Sequence, residues 1–372
     1  MKLGIVADVH LDQPFAWAGP DVGRKLRQAI RGALQRAVTI AGEAAVDAFC
    51  VAGDLFEDDL YAPDTPEFLR GLFADLAPTP VLLAPGNHDP AVTAGPYVTM
   101  EWPSNVHVFS RPELSAFRLA DGLTLWGAGH DRPAYTPGFF DSGFHVPDGG
   151  IHVALFHGAE RGALRFQEEG KIAHAPFEEW QVGAAGLAHA FVGHYHQPRD
   201  TALLTYPGNL EHLTFGETGD RGLVLATVAA DGMVSSERRV LAQVEMFDVT
   251  VNADGCGTVD EIRARLEAKL AELPQDGPVR VARVSIAGQV TGMLQASQAD
   301  LVTVQSGLDK LVVRSLELRP ADDMEQIAAE PTVRGAFVRM VRGAASLDEE
   351  DRELILTAGL RALSGRGDLQ VV

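Results

Sequence analysis

The chain has 372 residues, enough to bury a full core and to hold one large domain with one or two smaller ones. Asp and Glu number 51 against 31 Lys and Arg, and the formal net charge of −20 opposes nonspecific attachment to a polyanion, so work on nucleic acid would need metal ions, local basic patches or a partner. No apolar run approaches membrane-spanning length, and the opening Met1-Lys2-Leu3-Gly4-Ile5-Val6 reads as a strand rather than a signal peptide. Cys50 and Cys256 offer no disulfide framework and have no His at ligand spacing, which suits a reducing cytoplasm and a packing or surface role.

The first predicted strand, Leu3 to Ala7, ends in Asp8 and His10. Strand alternation turns those two side chains to one side and Val9 to the other, so they can grip one cation. Carboxylate with imidazole suits Mn, Fe or Zn better than Ca. A helix is expected over Val22 to Ala45, its apolar stripe Leu26, Ile30, Leu34, Ala37, Val38 and Ala41. Arg24, Lys25, Arg27, Arg31 and Arg36 fall largely off that stripe, as a solvated face or as a phosphate-contacting patch.

A second strand, Ala48 to Ala52, runs into Gly53-Asp54. The glycine permits a tight turn, and the two oxygens of the carboxylate after it can bridge two cations. Thr65 and Pro66 are expected as N-cap and first residue of a helix with Phe68, Leu69, Leu72, Phe73 and Leu76 on its apolar side, which is either core or a self-association surface. Strand Val81 to Ala84 delivers Gly86-Asn87-His88-Asp89. Asn87 offers a neutral carbonyl ligand, His88 is the expected catalyst that binds no metal, and Asp89 is expected to orient and charge its imidazole.

Short strands follow at Val106 to Phe109, Ala116 to Leu119, Leu123 to Trp126, His152 to Phe156, Ala190 to Val192 and Leu203 to Tyr206. The loop from Arg132 to Gly150, rich in Pro, Gly and aromatics, is expected as a rim over the site. His157 follows one of these strands, and His194 and His196 follow another, placed on one side by alternation. Of the twelve histidines, His107, His130, His145, His152, His174, His189 and His212 lack such spacing and read as structural or surface residues, His130 being the nearest to an exception. Each polar cluster therefore sits at the C-terminal tip of an apolar strand, where open α/β sheets keep their chemistry, and a two-metal site accounts for all of them.

Beyond Leu241 strands are expected at Val244 to Val251, Val279 to Ile286 and Leu311 to Leu318, with a helix over Val259 to Leu273. Ala287 to Ser306 reads as a mobile loop. Two helical stretches close the chain, Asp323 to Gly343 and Leu347 to Leu363, the second opening on a candidate capping box at Ser346 to Glu349. The expected units are 1–240, 241–320 and 321–372.

Asp-x-His, Gly-Asp, Gly-Asn-His-Asp, His-Gly and Gly-His-x-His, in that order, resemble the calcineurin-like metallophosphoesterase superfamily. Gly53-Asp54-Leu55-Phe56 together with Tyr206 to His212 and Phe215-Gly216-Glu217 resemble its SbcD-like DNA repair nucleases. Phosphoprotein phosphatases would show an Asp-Arg pair after Gly-Asp and a Glu where Asp89 stands, and neither is present. The resemblance implies an α/β two-sheet sandwich flanked by helices, with a small α/β module that caps the site and guides nucleic acid, and C-terminal helices that dock an SMC-like coiled-coil ATPase. It implies one metal on Asp8, His10, Asp54 and His196, another on Asp54, Asn87, His157 and His194, and His88 as the catalytic histidine. The metals would be Mn, with Fe or Zn as alternatives, the substrate DNA, the assembly open to a homodimer, and the compartment cytoplasmic. One departure stands out: many nucleases of this branch carry a second histidine three residues after the Gly-Asp aspartate, associated with handling duplex ends, whereas this chain has Glu57, followed by Asp58 and Asp59. A phosphodiesterase on small or nucleotide substrates, or a scaffold for the ATPase, are the alternatives to a nuclease.

Overall fold

The structure is a computed structural model that describes the chain apart from residues 58–59, 134, 167–172, 276, 292–293, 295, 305–306, 321–323 and 364–372. Compactness divides it into one unit of Met1–Asp248, Leu273–Arg283 and Gly307–Val312 and a second of Val249–Glu272, Val284–Ser306 and Val313–Val372.

In the first unit, β1 (Lys2–Val6) leads to α1 (Pro20–Glu43), β2 (Ala48–Val51), α2 (Thr65–Ala74), β3 (Val81–Leu83), the single turn α3 (Pro96–Thr99) and β4 (Val106–Val108). The chain then forms β5 (Ser115–Ala120), β6 (Leu123–Gly127), β7 (Ile151–His157), α4 (Glu179–Ala184), β8 (His189–Gly193), β9 (Arg199–Asp200) and β10 (Leu204–Tyr206). It returns through β11 (Gly222–Val228) and β12 (Val234–Val240). Two six-stranded sheets result, with orders β12-β11-β1-β2-β3-β4 and β5-β6-β7-β8-β10-β9. β1 to β4 are mutually parallel, and so are β6, β7, β8 and β10, while β11, β12, β5 and β9 pair antiparallel.

Parallel strands buried on both faces read as continuous apolar runs, and alternation then sorts each run between two cores. Leu3, Ile5, Cys50 and Leu82 face Leu125, Val153, Leu155 and Phe191 between the sheets. Val6, Phe49, Val51 and Leu83 face Leu26, Ile30, Leu34, Leu69 and Phe73 of the two long helices. Phe156, Ala190 and Val192 pack on the other side of the second sheet with Val182 of α4. This mixed α/β sandwich flanked by helices is the architecture that the motif resemblance implied. The apolar side of α2 is ordinary core.

Several local expectations change. The strand pair β11 and β12 was not anticipated, although the run Leu223 to Ala226 and the Asp231-Gly232 turn are hairpin signals. β11 pairs directly with β1 and closes that flank of the first sheet. Thr65 is the first residue of α2, not its cap, which is Asp64. The Thr65 hydroxyl is spent instead on Asp12 and on Arg31. In the loop from Arg132 to Gly150, Phe139 and Phe140 are buried and pack beneath the second sheet, while Tyr135 is exposed.

The chain continues through β13 (Val244–Asn252), α5 (Val259–Ala271), β14 (Val279–Val290), α6 (Gln298–Leu301) and β15 (Lys310–Pro320), the strands forming a sheet in the order β13-β14-β15. Part of the expected mobile loop is the end of β14 and the short α6, and residues 292–293, 295 and 305–306 lie outside the described residues. The expected helix ending at Gly343 is two, α7 (Met324–Ala329) and α8 (Val333–Arg342), because Pro331 cannot continue a helix and Thr332 caps the next one through Gly335 N. Asp323, where that helix was expected to begin, is outside the described residues. α9 (Glu349–Leu363) is capped by Asp348, whose carboxylate accepts from Asp351 N at 2.8 Å, rather than by a Ser346 box. Ile327, Val338, Val341, Leu356 and Leu360 form the core of these helices. Among the described residues no helix is long and apolar enough to cross a membrane.

Candidate metal centre

The expected site residues converge at the C-terminal edges of the two sheets in the first unit, but not by strand alternation. β1 ends at Val6 and β8 at Gly193, before the polar residues begin. Asp8, His10 and Asp54 then adopt left-handed φ angles of 48°, 50° and 51°, and His194 has φ 112°. Non-glycine residues held there cost of order 1 kcal/mol or more each, and such strain gathers at functional sites. The bent loops also brace each other: Asp8 N donates to Gly53 O at 3.0 Å, His10 N to Asp54 O at 2.9 Å and Leu11 N to Leu55 O at 3.0 Å. Gly53 (φ 86°) and Gly86 are required by close approach, since a Cβ on the first would strike the His157 ring and one on the second the Asp54 carboxylate.

The hydrogen-bond partners determine which ring atoms face the centre. His157 Nδ1 lies 3.0 Å from Ala52 O, which can only accept, so Nδ1 carries the hydrogen and Nε2 presents its lone pair. That Nε2 is 3.1 Å from Asn87 Oδ1 and 3.3 Å from Asp54 Oδ2. His10 Nδ1 donates to Glu57 at 2.7 Å and His196 Nδ1 to Glu217 at 3.0 Å. The Nε2 atoms of these two rings meet at 3.2 Å. Asp54 Oδ1 accepts from His88 N at 2.9 Å, leaving Oδ2 3.6 Å from His10 Nε2 and 3.3 Å from His157 Nε2. Asp54 would therefore hold metal from between the His10 and His157 donors, with Oδ1 already accepting from His88 N. Asp8 receives His194 N at 2.9 Å, and His194 Nδ1 is 3.3 Å from Asn87 Oδ1.

Acceptor atoms thus crowd together with few hydrogens among them, an arrangement that a shared cation would stabilise. Asp8, His10 and His196 bring ligand atoms within 4.8 Å of one another, as do Asp8, Asp54 and His157, and also His10, Glu57 and His88. The residues fit divalent metals, and imidazoles held through Nδ1 by carboxylate or carbonyl are the usual support of such ligands.

Electrostatics follow the same pattern. Burial pushes Asp8 up to about 7, with the Asp54 charge adding to it. Burial also acts on Asp54, yet His157, His88 and His10 together hold it below the ordinary carboxylate range. Glu57 and Glu217, despite burial, are each lowered to about 2 by their histidine partners. Burial lowers His157 well below the usual imidazole value and takes His194 down to about 3.

Two expected roles change hands. Asp89 does not orient His88: its fully buried carboxylate accepts from Asp54 N, Leu55 N and Gly86 N at 3.0, 2.6 and 2.7 Å and from Tyr97 Oη at 2.6 Å. Adjacent side chains in a tight turn diverge, and Asp89 points back to tie two ligand loops together. Among the described residues, the carboxylate on the His88 ring is Glu57, with Oε2 3.0 Å from Nδ1. Glu57, seen in the sequence only as a departure, thus holds His10 with one oxygen and His88 with the other. Asp58 and Asp59 lie outside the described residues.

Glu217, read earlier as part of a motif, supports His196 and is itself held by Asn209 Nδ2 at 3.1 Å and Leu213 N at 2.8 Å. Arg221, which the sequence did not single out, is fully buried and donates to the Asn209 side chain and to His196 O. Its run Thr218-Gly219-Asp220-Arg221 carries no motif that would have pointed to it. His130 is buried below the site, with Nδ1 2.8 Å from Thr136 Oγ1 and Nε2 2.9 Å from His157 O, a structural role. The basic residues of α1 are engaged within the protein: Arg24 with Asp21, Lys25 with Asp309, Arg27 with Pro14 O, Arg31 with Asp64 and Arg36 with Leu241 O.

A two-sheet sandwich with this Asp/His/Asn cluster at its strand tips defines a metal-dependent phosphoesterase. Residues 1–198, more than half the chain, match the family model of the calcineurin-like phosphoesterases, and the chain belongs to that family. It is 27% identical over 264 residues to YhaO, an uncharacterized metallophosphoesterase of Bacillus subtilis strain 168, a match covering 66% of this chain. The chain spans 62% of the length of that relative. A crystal structure of TT1561 of Thermus thermophilus aligns over 64% of this chain and 98% of its own, at 12% identity and a TM-score of 0.34, a likeness too low to support any conclusion.

Proposed function

We propose that this phosphoesterase is a metal-dependent DNA nuclease, hydrolysing phosphodiesters in DNA repair together with an SMC-like coiled-coil ATPase. The observation that carries hydrolysis at this site is the chain of contacts that gathers Asp8, His10, Asp54, Asn87, His157, His194 and His196 into one cluster, with half-exposed His88 beside them. Two divalent cations, Mn in this reading, supply when bound the Lewis acidity that activates a water and neutralises charge on the phosphate oxygens. Asp54 holds the two donor sets together, while Glu57, Glu217 and Ala52 O aim the Nε2 atoms of His10, His196 and His157. Glu57 also takes the Nδ1 hydrogen of His88, which leaves Nε2 as the atom that hands a proton to the departing oxygen.

The resemblance to SbcD-like nucleases supports DNA as substrate. The second reading, a phosphodiesterase on small or nucleotide diesters, is favoured by Glu57 in place of the family histidine and by the engaged basic residues of α1. For the partner, α8 and α9 present an apolar hollow of about 460 Å³ lined by Val333, Phe337, Met340 and Leu363. Val333 and Met340 are 74% and 68% exposed, a face suited to the apolar seam of a coiled coil. Both cysteines are free and buried, as a cytoplasmic protein would have them.

Single-stranded, duplex and hairpin DNA, tested with Mn beside bis-p-nitrophenyl phosphate and cyclic nucleotides, separate the readings: DNA cleavage supports the first, and hydrolysis of small diesters alone the second. Asp54→Ala should lose bound metal and activity together, and His88→Ala should keep its metal while turnover falls about 10²- to 10⁴-fold. Full metal content in Asp54→Ala would remove the bridging role. Co-elution with a coiled-coil ATPase, lost in Met340→Asp, would support the partner assignment, and its absence would count against it.

A further inference from the structure

We infer that the rim of the metal centre carries a stacking platform for an unpaired nucleobase, formed by Trp17 and Phe215. The inference rests on the proposed hydrolysis of nucleic-acid diesters and names the form of that substrate, a strand whose bases are free to leave their own stack.

Both rings belong to segments that end in the site. Trp17 lies in a 3-10 turn, Ala16–Ala18, on the loop that supplies Asp8 and His10. That loop turns back twice, through Gln13 N to His10 O at 3.2 Å and Ala18 N to Phe15 O at 2.9 Å. Phe215 precedes by two residues Glu217, whose carboxylate touches His196. Two residues of chain reach at most about 7 Å, which keeps the Phe215 backbone beside the centre.

The rings form a braced row. Trp17, 37% exposed, meets Phe215 with ring centroids 5.0 Å apart. Buried Phe15 stands edge-on to Trp17 at 6.4 Å, and the Arg283 guanidinium lies 4.8 Å from the Phe215 centroid, fixed by Asp248 at 2.6 and 2.7 Å. The backbone bends into left-handed φ at Asp12 (68°) and Phe15 (44°), which folds the loop back on itself beneath Trp17. Water gains nothing from an exposed tryptophan, whereas a base face stacked on it is stabilised whatever its sequence.

Charge selects the same ligand. The cations nearest to Trp17 and Phe215 in sequence, together with Arg283, are engaged, Arg24 by Asp21, Lys25 by Asp309, Arg27 by Pro14 O, Arg221 by Asn209 and His196 O and Arg283 by Asp248, so little is left among them to grip a phosphate backbone by charge. In an intact duplex the base faces cover one another, so the platform can take only a single strand or a frayed end.

The test compares a fluorescein-labelled oligo-dT with an abasic oligonucleotide of equal length, binding the full-length protein in EDTA at low salt, by anisotropy. Wild type should bind oligo-dT more tightly than the abasic strand, Trp17→Ala should lose about 5- to 100-fold on oligo-dT alone, and Trp17→Phe should restore most of it. Phe215→Ala should behave like Trp17→Ala, and thermal unfolding identifies a variant that has lost its fold, in which case Trp17→Phe decides. Equal binding of the two oligonucleotides by wild type, no binding of oligo-dT, or unchanged discrimination in Trp17→Ala would overturn the platform. Hydrolysis of bis-p-nitrophenyl phosphate with Mn is followed in parallel: its absence counts against the proposed hydrolysis, while the binding comparison decides the platform on its own.

Discussion

Glu57 links the two imidazoles with the most different proposed tasks, His10 facing the metals and His88 facing the leaving oxygen. Glu57→Gln retains one acceptor but turns an amide donor toward the other ring, so only one imidazole stays aimed. We expect a loss of roughly 10- to 100-fold in metal affinity or turnover, the range for residues that support ligands from behind. Metal content and kcat measured together would show which ring is released, and wild-type values for both would mean that neither ring depends on Glu57. The sequence made Glu57 visible as a departure, and it made Asp89 look like the partner of His88 because the two are neighbours. Through-space partners cannot be read from adjacency in a turn, and here the nearer carboxylate in the chain is the farther one in space.

At the scale of elements, the site is a set of loops whose strands stop short of it. Asp89 joins the loop after β2 to the loop after β3 with three backbone amides and one phenol, filling the acceptor capacity of a buried carboxylate. Asp89→Asn must turn an N–H group against one of those donors, and the cost should be about 2–3 kcal/mol in urea unfolding. Tyr97→Phe removes one donor and should cost about 1 kcal/mol. A neutral Asp89→Asn would show that the loops hold their shape without it. Apolar periodicity revealed β1, β2, β3, β7 and β8, since strands buried on both faces announce themselves as unbroken runs. The same periodicity misjudged how Asp8 and His10 come together, because alternation applies only while the backbone stays extended, and the left-handed turns at 48° and 50° lie beyond the strand. β11 was legible in principle as Leu223 to Ala226, but its place next to β1 depends on a pairing across more than half the chain.

For the molecule as a whole, a net charge of −20 and basic side chains already engaged by carboxylates and carbonyls leave little long-range attraction for a polyanion. Binding of oligo-dT should therefore fall by less than about tenfold between about 50 and about 200 mM salt, the slope of roughly two phosphate contacts. A much steeper dependence, measured by anisotropy, would mean that a basic track exists after all.

The order and spacing of Asp8, His10, Asp54, Asn87, His157, His194 and His196 were enough to place this chain among metal-dependent phosphoesterases, because each lies just past an apolar run and the fold gathers strand tips at one edge. Which oxygen of Asp54 faces both donor sets, which carboxylate holds His88, and that Arg221 and Glu217 stand behind His196 were decided only on folding. Those relations join residues far apart in the chain through ring orientations and left-handed backbone, and neither leaves a periodic trace in the order of amino acids.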